Sequence, residues 1–201
     1  MLHIIISYLS FLKKSSNHHG LHSPFVYNLV TRCFYDKTKY LQHFALNNCP
    51  KTVLTKDYTK HSKKRIQLLF RVIQYFKPNS ILEIGSSYGL LTSAAAFVNT
   101  KITTFENYLI NEQLSKDFYQ LIVFNKTISN KESLDYFEKL LITTTNSSVW
   151  IFNGIHQSAE TKKTWETIKN HPKIKVTIDT FQWGFVFFRA EQEKEHFVIR
   201  V

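Results

Sequence analysis

From Pro78 onward the chain alternates short apolar runs with helix-forming stretches, and this alternation restricts the possible architectures more than any other feature. The runs are SILEIG, KITTFE, QLIVF and SVWIF, each followed by a segment with helical character. Such alternation predicts a mostly parallel sheet whose strands are joined by crossover helices. The end of the chain reads differently. IKVTID, GFVFFR and EHFVIRV follow one another closely, and Trp183-Gly184 stands in the middle turn. Connections this short predict antiparallel pairing, because parallel neighbours need a long crossover.

The first part of the chain predicts helices. KKRIQLLFRVIQYFKP places Ile66, Leu69, Ile73 and Phe76 on one helical face and Lys64, Gln67, Arg71 and Gln74 on the other, with Pro78 as the stop. In HSPFVYNLVTRCF, Ser23 is a cap and Pro24 suits the first helical position. MLHIIISYLSFLKK reads as an amphipathic surface helix. No basic residue precedes its apolar run, so a signal peptide is not expected, and it is too short to span a bilayer. KKSSNHHG reads as a linker and residues 47–62, with Pro50, as a loop. The expected organisation is a helical N-terminal cap, residues 1–60, on an α/β domain of residues 61–201. A hydrophobic share of 43% in 201 residues suits one sizeable core. Two cysteines, Cys33 and Cys49, form no disulfide framework, which favours a reducing, cytoplasmic setting.

Charge is distributed unevenly. Residues 1–77 hold 13 Lys and Arg against only Asp36 and Asp57, so the whole net charge of +11 lies there. The ordinary reading is a solvated basic face. The functional one is contact with an anionic partner, nucleic acid or a membrane surface. Lys51, Lys56, Lys60, Lys63, Lys64 and Arg65 are its candidates, with Tyr58 the one interleaved aromatic and no recognised nucleic-acid motif.

The run ILEIGSSYGLLTSAAA carries the strongest chemical signal. Its first strand is expected to end at Ile84, placing Gly85, Ser86, Ser87, Tyr88 and Gly89 at the carboxyl end of a parallel strand, where open α/β sheets bind ligands. Glu106 ends the second strand 21 residues after Gly85, near the offset at which a carboxylate meets ribose hydroxyls. The pattern departs from G-x-G-x-x-G, so a dinucleotide reading is poor. No Ser-His-Asp or Cys-His set and no P-loop lysine can be assembled, which removes hydrolase and nucleotide-triphosphatase readings.

With Glu83 before the first glycine, this pattern resembles motif I of the class I S-adenosylmethionine-dependent methyltransferases. HGLHSPFVYNLV, QLLFRVIQYFKPNSILEIGSSYGL and the long run from Val149 to Arg189 resemble a bacterial group of small methyltransferases related to O-methyltransferases. The resemblance implies a Rossmann-like sheet and S-adenosylmethionine as cofactor. Glu83, Gly85, Ser86, Ser87, Tyr88 and Gly89 would lie around its methionine end, and Glu106 at its ribose.

Departures from that group predict altered chemistry. Where the group ends a strand in Asp followed by Gly-Asn-His, this chain has FNKTIS, with Asn125 and Ile128 at the acid and histidine. Where it has two aspartates before Ile-His, this chain has IFNGIH, with Asn153, Gly154 and a retained His156. Amides neither act as general bases nor bring negative charge to a hard cation, so no metal is expected. About 15 residues separate Glu106 from QLIVF, too few for the group's helix, edge strand and second helix, so a sheet shortened by one edge strand is expected. KTVLTKDYTKHSKKR stands where the group often has a Gly-rich acidic stretch.

His156 is the candidate general base, with loop packing as the alternative. His18, His19 and His22 lack a rigid scaffold or carboxylate partner and read as structural. Two functions follow from the sequence. One is methyl transfer from S-adenosylmethionine to a small-molecule acceptor. The other is a catalytically inactive homologue (a pseudoenzyme) acting as a binding module through its basic N-terminal region.

Overall fold

A computed structural model describes residues 2–17, 20–38, 60–87, 90–95, 101–105, 118–125 and 128–201. Its middle layer is a seven-stranded sheet of β1 (Ser80–Ile84), β2 (Lys101–Phe105), β3 (Leu121–Phe124), β4 (Val149–Asn153), β5 (Val176–Asp179), β6 (Trp183–Phe187) and β7 (Glu195–Val198). The spatial order is β2-β1-β3-β4-β6-β5-β7. The first four strands are mutually parallel, as the alternating pattern predicts. Strand β6 runs antiparallel to both β4 and β5.

Two details of the chain's end differ from expectation. Strand β7 pairs with β5, not with β6, and is parallel to it. Both edges of β6 are already taken by β4 and β5, so the returning chain can add only to β5's free edge. Trp183-Gly184 also opens β6 rather than forming the turn. The turn lies one step earlier, where Thr180 N–H donates to the Trp183 carbonyl and Phe181 takes φ +67°. Gly184 lies in the strand because the ring of Trp165 covers it.

Alternate side chains of these buried strands feed two cores. Ile81, Val123, Ile151 and Phe185 face one layer; Leu82, Phe124, Trp150 and Val186 face the other. The first layer contains α2 (Pro24–Leu29), its π-helical continuation Val30–Phe34, α3 (Lys60–Phe76) and α4 (Leu90–Ala95). The second contains α5 (Asn130–Leu140) and α6 (Ala159–Asn170). Helix α3 begins within the expected loop, at Lys60; residues 39–59, including Cys49, Lys51, Lys56 and Tyr58, lie outside the described residues.

Ser23 caps α2 by accepting the Val26 N–H, and Pro24 opens it. Ile66, Leu69 and Ile73 of α3 are buried as expected, but so are Leu68, Phe70 and Val72. The apolar arc is wider because the α2 segment covers its flank. Arg71, expected on the polar face, reaches that segment and donates to the carbonyls of Cys33 (2.9 Å) and Phe34 (3.1 Å). A cation here satisfies carbonyls that the ending helix leaves open.

Cys33 is sealed under this contact at 1% exposure, and burial pushes its thiol up to about 12. The thiolate is the reactive form. Native Cys49→Ser protein is therefore expected to resist a disulfide-exchange reagent at pH ~8 and to react fully once denatured. Rapid labelling of the native variant would contradict this packing.

Helix α1 (Leu2–Lys14) precedes these layers. Residues read as a linker after it do more than connect: Ser16 forms a parallel bridge with Ile199, its N–H donating to the Val198 carbonyl at 2.9 Å.

Candidate active site

Strand β1 ends at Ile84, as expected, and Gly85 takes φ +71°, where a side chain would be strained. The loop that follows is fixed from below. Glu83, 3% exposed, accepts the Ser87 N–H at 2.9 Å. Ser87 in turn accepts the Leu91 N–H at 3.1 Å, joining the loop to the first turn of α4. Gly85 and Ser87 are buried and Ser86 is half-buried. Tyr88, Gly89 and Glu106 lie outside the described residues.

The two asparagines at the acid positions turn out to be structural partners of this loop. β1, β3 and β4 are adjacent and in parallel register, so residues just past their ends lie side by side. Asn125 donates through Nδ2 to Glu83 Oε1 (3.0 Å) and the Gly85 carbonyl (3.2 Å). Its Oδ1 accepts from Asn153 Nδ2 at 3.5 Å. Asn153 Oδ1 accepts from Gln182 Nε2 (3.0 Å) and Trp183 Nε1 (3.2 Å). Gln182 Oε1 then accepts from Arg65 Nη2 at 2.9 Å. An uninterrupted relay thus runs from the β1 loop to α3.

This relay tests the metal directly. A divalent cation of the O-methyltransferase type needs anionic oxygens facing an open position. Here the amide oxygens already accept from protein donors, and the nearby carboxylate of Glu83 accepts from an amide. Among the described residues no three His, Cys, Asp or Glu side chains cluster. These residues do not fit such a cation. The β1 loop does fit the polar end of a cofactor, because Gly85 brings no Cβ into the turn and Glu83 holds the Ser87 amide in place.

Beside Asn125 a cavity of about 250 Å³ opens between the ends of β3 and β4 and helices α5 and α6, with Ser129, Asn153, Gly154 and Trp165 in its wall. Gly154, at φ +81°, donates its N–H to the Gln182 carbonyl, which brings the β5–β6 turn against the end of β4.

His156 lies on the other side of that turn. Its Nε2 is 2.6 Å from Asp179 Oδ2, and its ring stacks on Phe181 with centroids 5.1 Å apart and planes 10° apart. Phe11 of α1 meets the same ring edge-on at 6.3 Å. The His156 side chain is 11% exposed, and its Nδ1 is buried without a protein partner. A proton acceptor closed off from solvent in this way suits packing better than proton exchange with a substrate. Asp179 also accepts the Phe181 N–H at 2.7 Å, so one carboxylate fixes both the turn and the histidine. Sequence reasoning missed Asp179, Phe181 and Phe11. Asp179 carried a usable signal, as an Asp at a strand end accepts the N–H two residues on.

The basic run divides. Lys64 is exposed, whereas Arg65 is half-buried, bonded to Gln182 and shifted downward in pKa by burial. The side chains of Lys60 and Lys63 lie outside the described residues, as do His18 and His19; His22 is exposed.

Sheet order, the antiparallel β6 and the glycine turn after β1 together make this the class I methyltransferase fold. Solved structures that share it include the SAH-bound methyltransferase PaMTH1 of Podospora anserina, with TM-score 0.53 and 10% identity over 84% of this chain and 97% of that one. A protein described as a caffeoyl-CoA O-methyltransferase, from Staphylococcus aureus, gives TM-score 0.53 and 13% identity over 82% and 97%. One described as an O-methyltransferase, from Klebsiella pneumoniae, gives 0.52 and 13% over 81% and 94%. No protein-family model matches the chain, and no curated protein does.

Proposed function

We propose that the chain binds S-adenosylmethionine over the carboxyl end of β1 and transfers its methyl group to a small-molecule acceptor without a metal. The loop fixed by Glu83 carries this reading, since Gly85 and the Ser87 backbone are held in place before any ligand arrives. Glu83, Gly85, Ser86, Ser87, Tyr88 and Gly89 would surround the methionine end, and Glu106 the ribose. Bound there, the sulfonium supplies an electrophilic methyl group. The protein's own contribution is to hold the acceptor in line and exclude water, because neither amide at the acid positions can take a proton. His156 serves to pack the β5–β6 turn against α1, clamped by Asp179. Residues 1–60 form a cap on the α/β unit of residues 61–201, a reading supported by the contacts of Phe11 with His156 and Phe181.

The interlocked Asn125 and Asn153 favour a second reading, in which the fold survives as a non-catalytic binding module. Calorimetry with S-adenosylmethionine and S-adenosylhomocysteine, on wild type and Glu106→Ala, tests the first. Submillimolar binding is expected, weakened at least about tenfold by loss of the ribose contact. No heat at millimolar ligand would overturn it. Binding without methyl incorporation into any acceptor would leave the module.

A further inference from the structure

Among the described residues, helix α1 carries an apolar face left largely exposed. Its seat is narrow: Ser7 and Phe11 are buried, and Tyr8 and Phe11 rest against Phe181 at 4.9 and 5.4 Å between centroids. On the rest of the helix Ile5 is 52% exposed, Ile6 58% and Leu9 61%, with Ile4 and Tyr8 also exposed. Soluble surfaces rarely carry a contiguous apolar patch of this kind unless it meets something.

Charge indicates what it meets. Lys13 follows Leu9 by four residues and Ile6 by seven, so it shares their strip of the helix. Lys13 and Lys14 are both exposed, and α1 contains no acidic residue. A second copy packed on this face would bring lysines with no acid on the facing helix to pair with them. An anionic headgroup layer provides what the face lacks, with hydrocarbon for the isoleucines and negative charge for the lysines, which can extend toward the headgroups. Thirteen residues make a helix of about 20 Å, suited to lying in the interface and too short to cross it.

We infer that α1 docks the protein on an anionic lipid surface. Because α1 rests on Phe181 and Phe11 meets His156, docking brings the β5–β6 turn next to the lipid. The inference does not depend on methyl transfer.

Co-flotation of the full chain with phosphatidylcholine vesicles, with and without about 30% phosphatidylglycerol, tests it. Two double variants, Ile6→Gln/Leu9→Gln and Lys13→Glu/Lys14→Glu, change only exposed positions, and circular dichroism checks their folding. Binding to the anionic vesicles is expected, at least about tenfold weaker on neutral ones and about tenfold weaker for each double variant. No flotation with anionic vesicles, equal flotation on neutral ones, or binding that survives both double variants would overturn it. So would light scattering that shows a dimer dissolved by Ile6→Gln/Leu9→Gln and indifferent to vesicles.

Discussion

Asn125→Asp is expected to cost about 3–5 kcal/mol of stability at neutral pH, although it introduces the acid that the resemblance to methyltransferases leads one to expect there. The substitution removes the Nδ2 donor and leaves an oxygen 3.0 Å from Glu83 Oε1 and 3.2 Å from the Gly85 carbonyl. Asn125 and Glu83 are each 3% exposed, so water cannot screen the two charges. Their repulsion raises one carboxyl pKa in the folded state above its unfolded value of about 4. The folded variant then holds a proton that the unfolded chain releases. The penalty is accordingly absent below about pH 4, grows as pH rises toward the raised folded pKa, and is complete above it. Urea unfolding of wild type and variant at pH ~4.5 and ~7 checks this, the gap between them being expected to widen at the higher pH. Equal gaps would mean that the asparagine does not face Glu83.

Gly184→Ala is expected to lower stability by about 2–3 kcal/mol, or roughly 5–10 °C in melting temperature. A Cβ at this position falls 2.5, 2.6 and 2.8 Å from three ring carbons of Trp165. That ring is 1% exposed and packed against Phe152, so it has no space to retreat. Trp165→Leu empties the contested volume. In the double variant the cost is expected to fall well below the sum of the single costs, a coupling that thermal melts of all four proteins would measure. Additive losses would place the damage elsewhere in β6.

Local chemistry was readable directly from the chain. Ile84 ended its strand because the next residue is a glycine, and Ser23-Pro24 opened its helix because a hydroxyl cap and a fixed φ suit that position. Partnership across the sheet was not readable. Asn125 and Asn153 are 28 residues apart, and only the order β1-β3-β4 sets their amides against each other and against Glu83. β7 misled for the same reason: a short link suggests a hairpin, while the occupied edges of β6 exclude one. Gly184 resembled a turn residue because the indole that requires it lies 19 residues earlier. Arg71 sat on the charged side of its helix by periodicity, yet the carbonyls it serves belong to a segment nearly forty residues before it.

The bridge from Ser16 to Ile199, reinforced by the hydrogen bond from the Tyr35 hydroxyl to the Arg200 carbonyl at 2.7 Å, has a consequence for biosynthesis. α1 is translated well before the strand that tethers the segment behind it. Until that strand is made, an oily, cationic helix travels without this anchor.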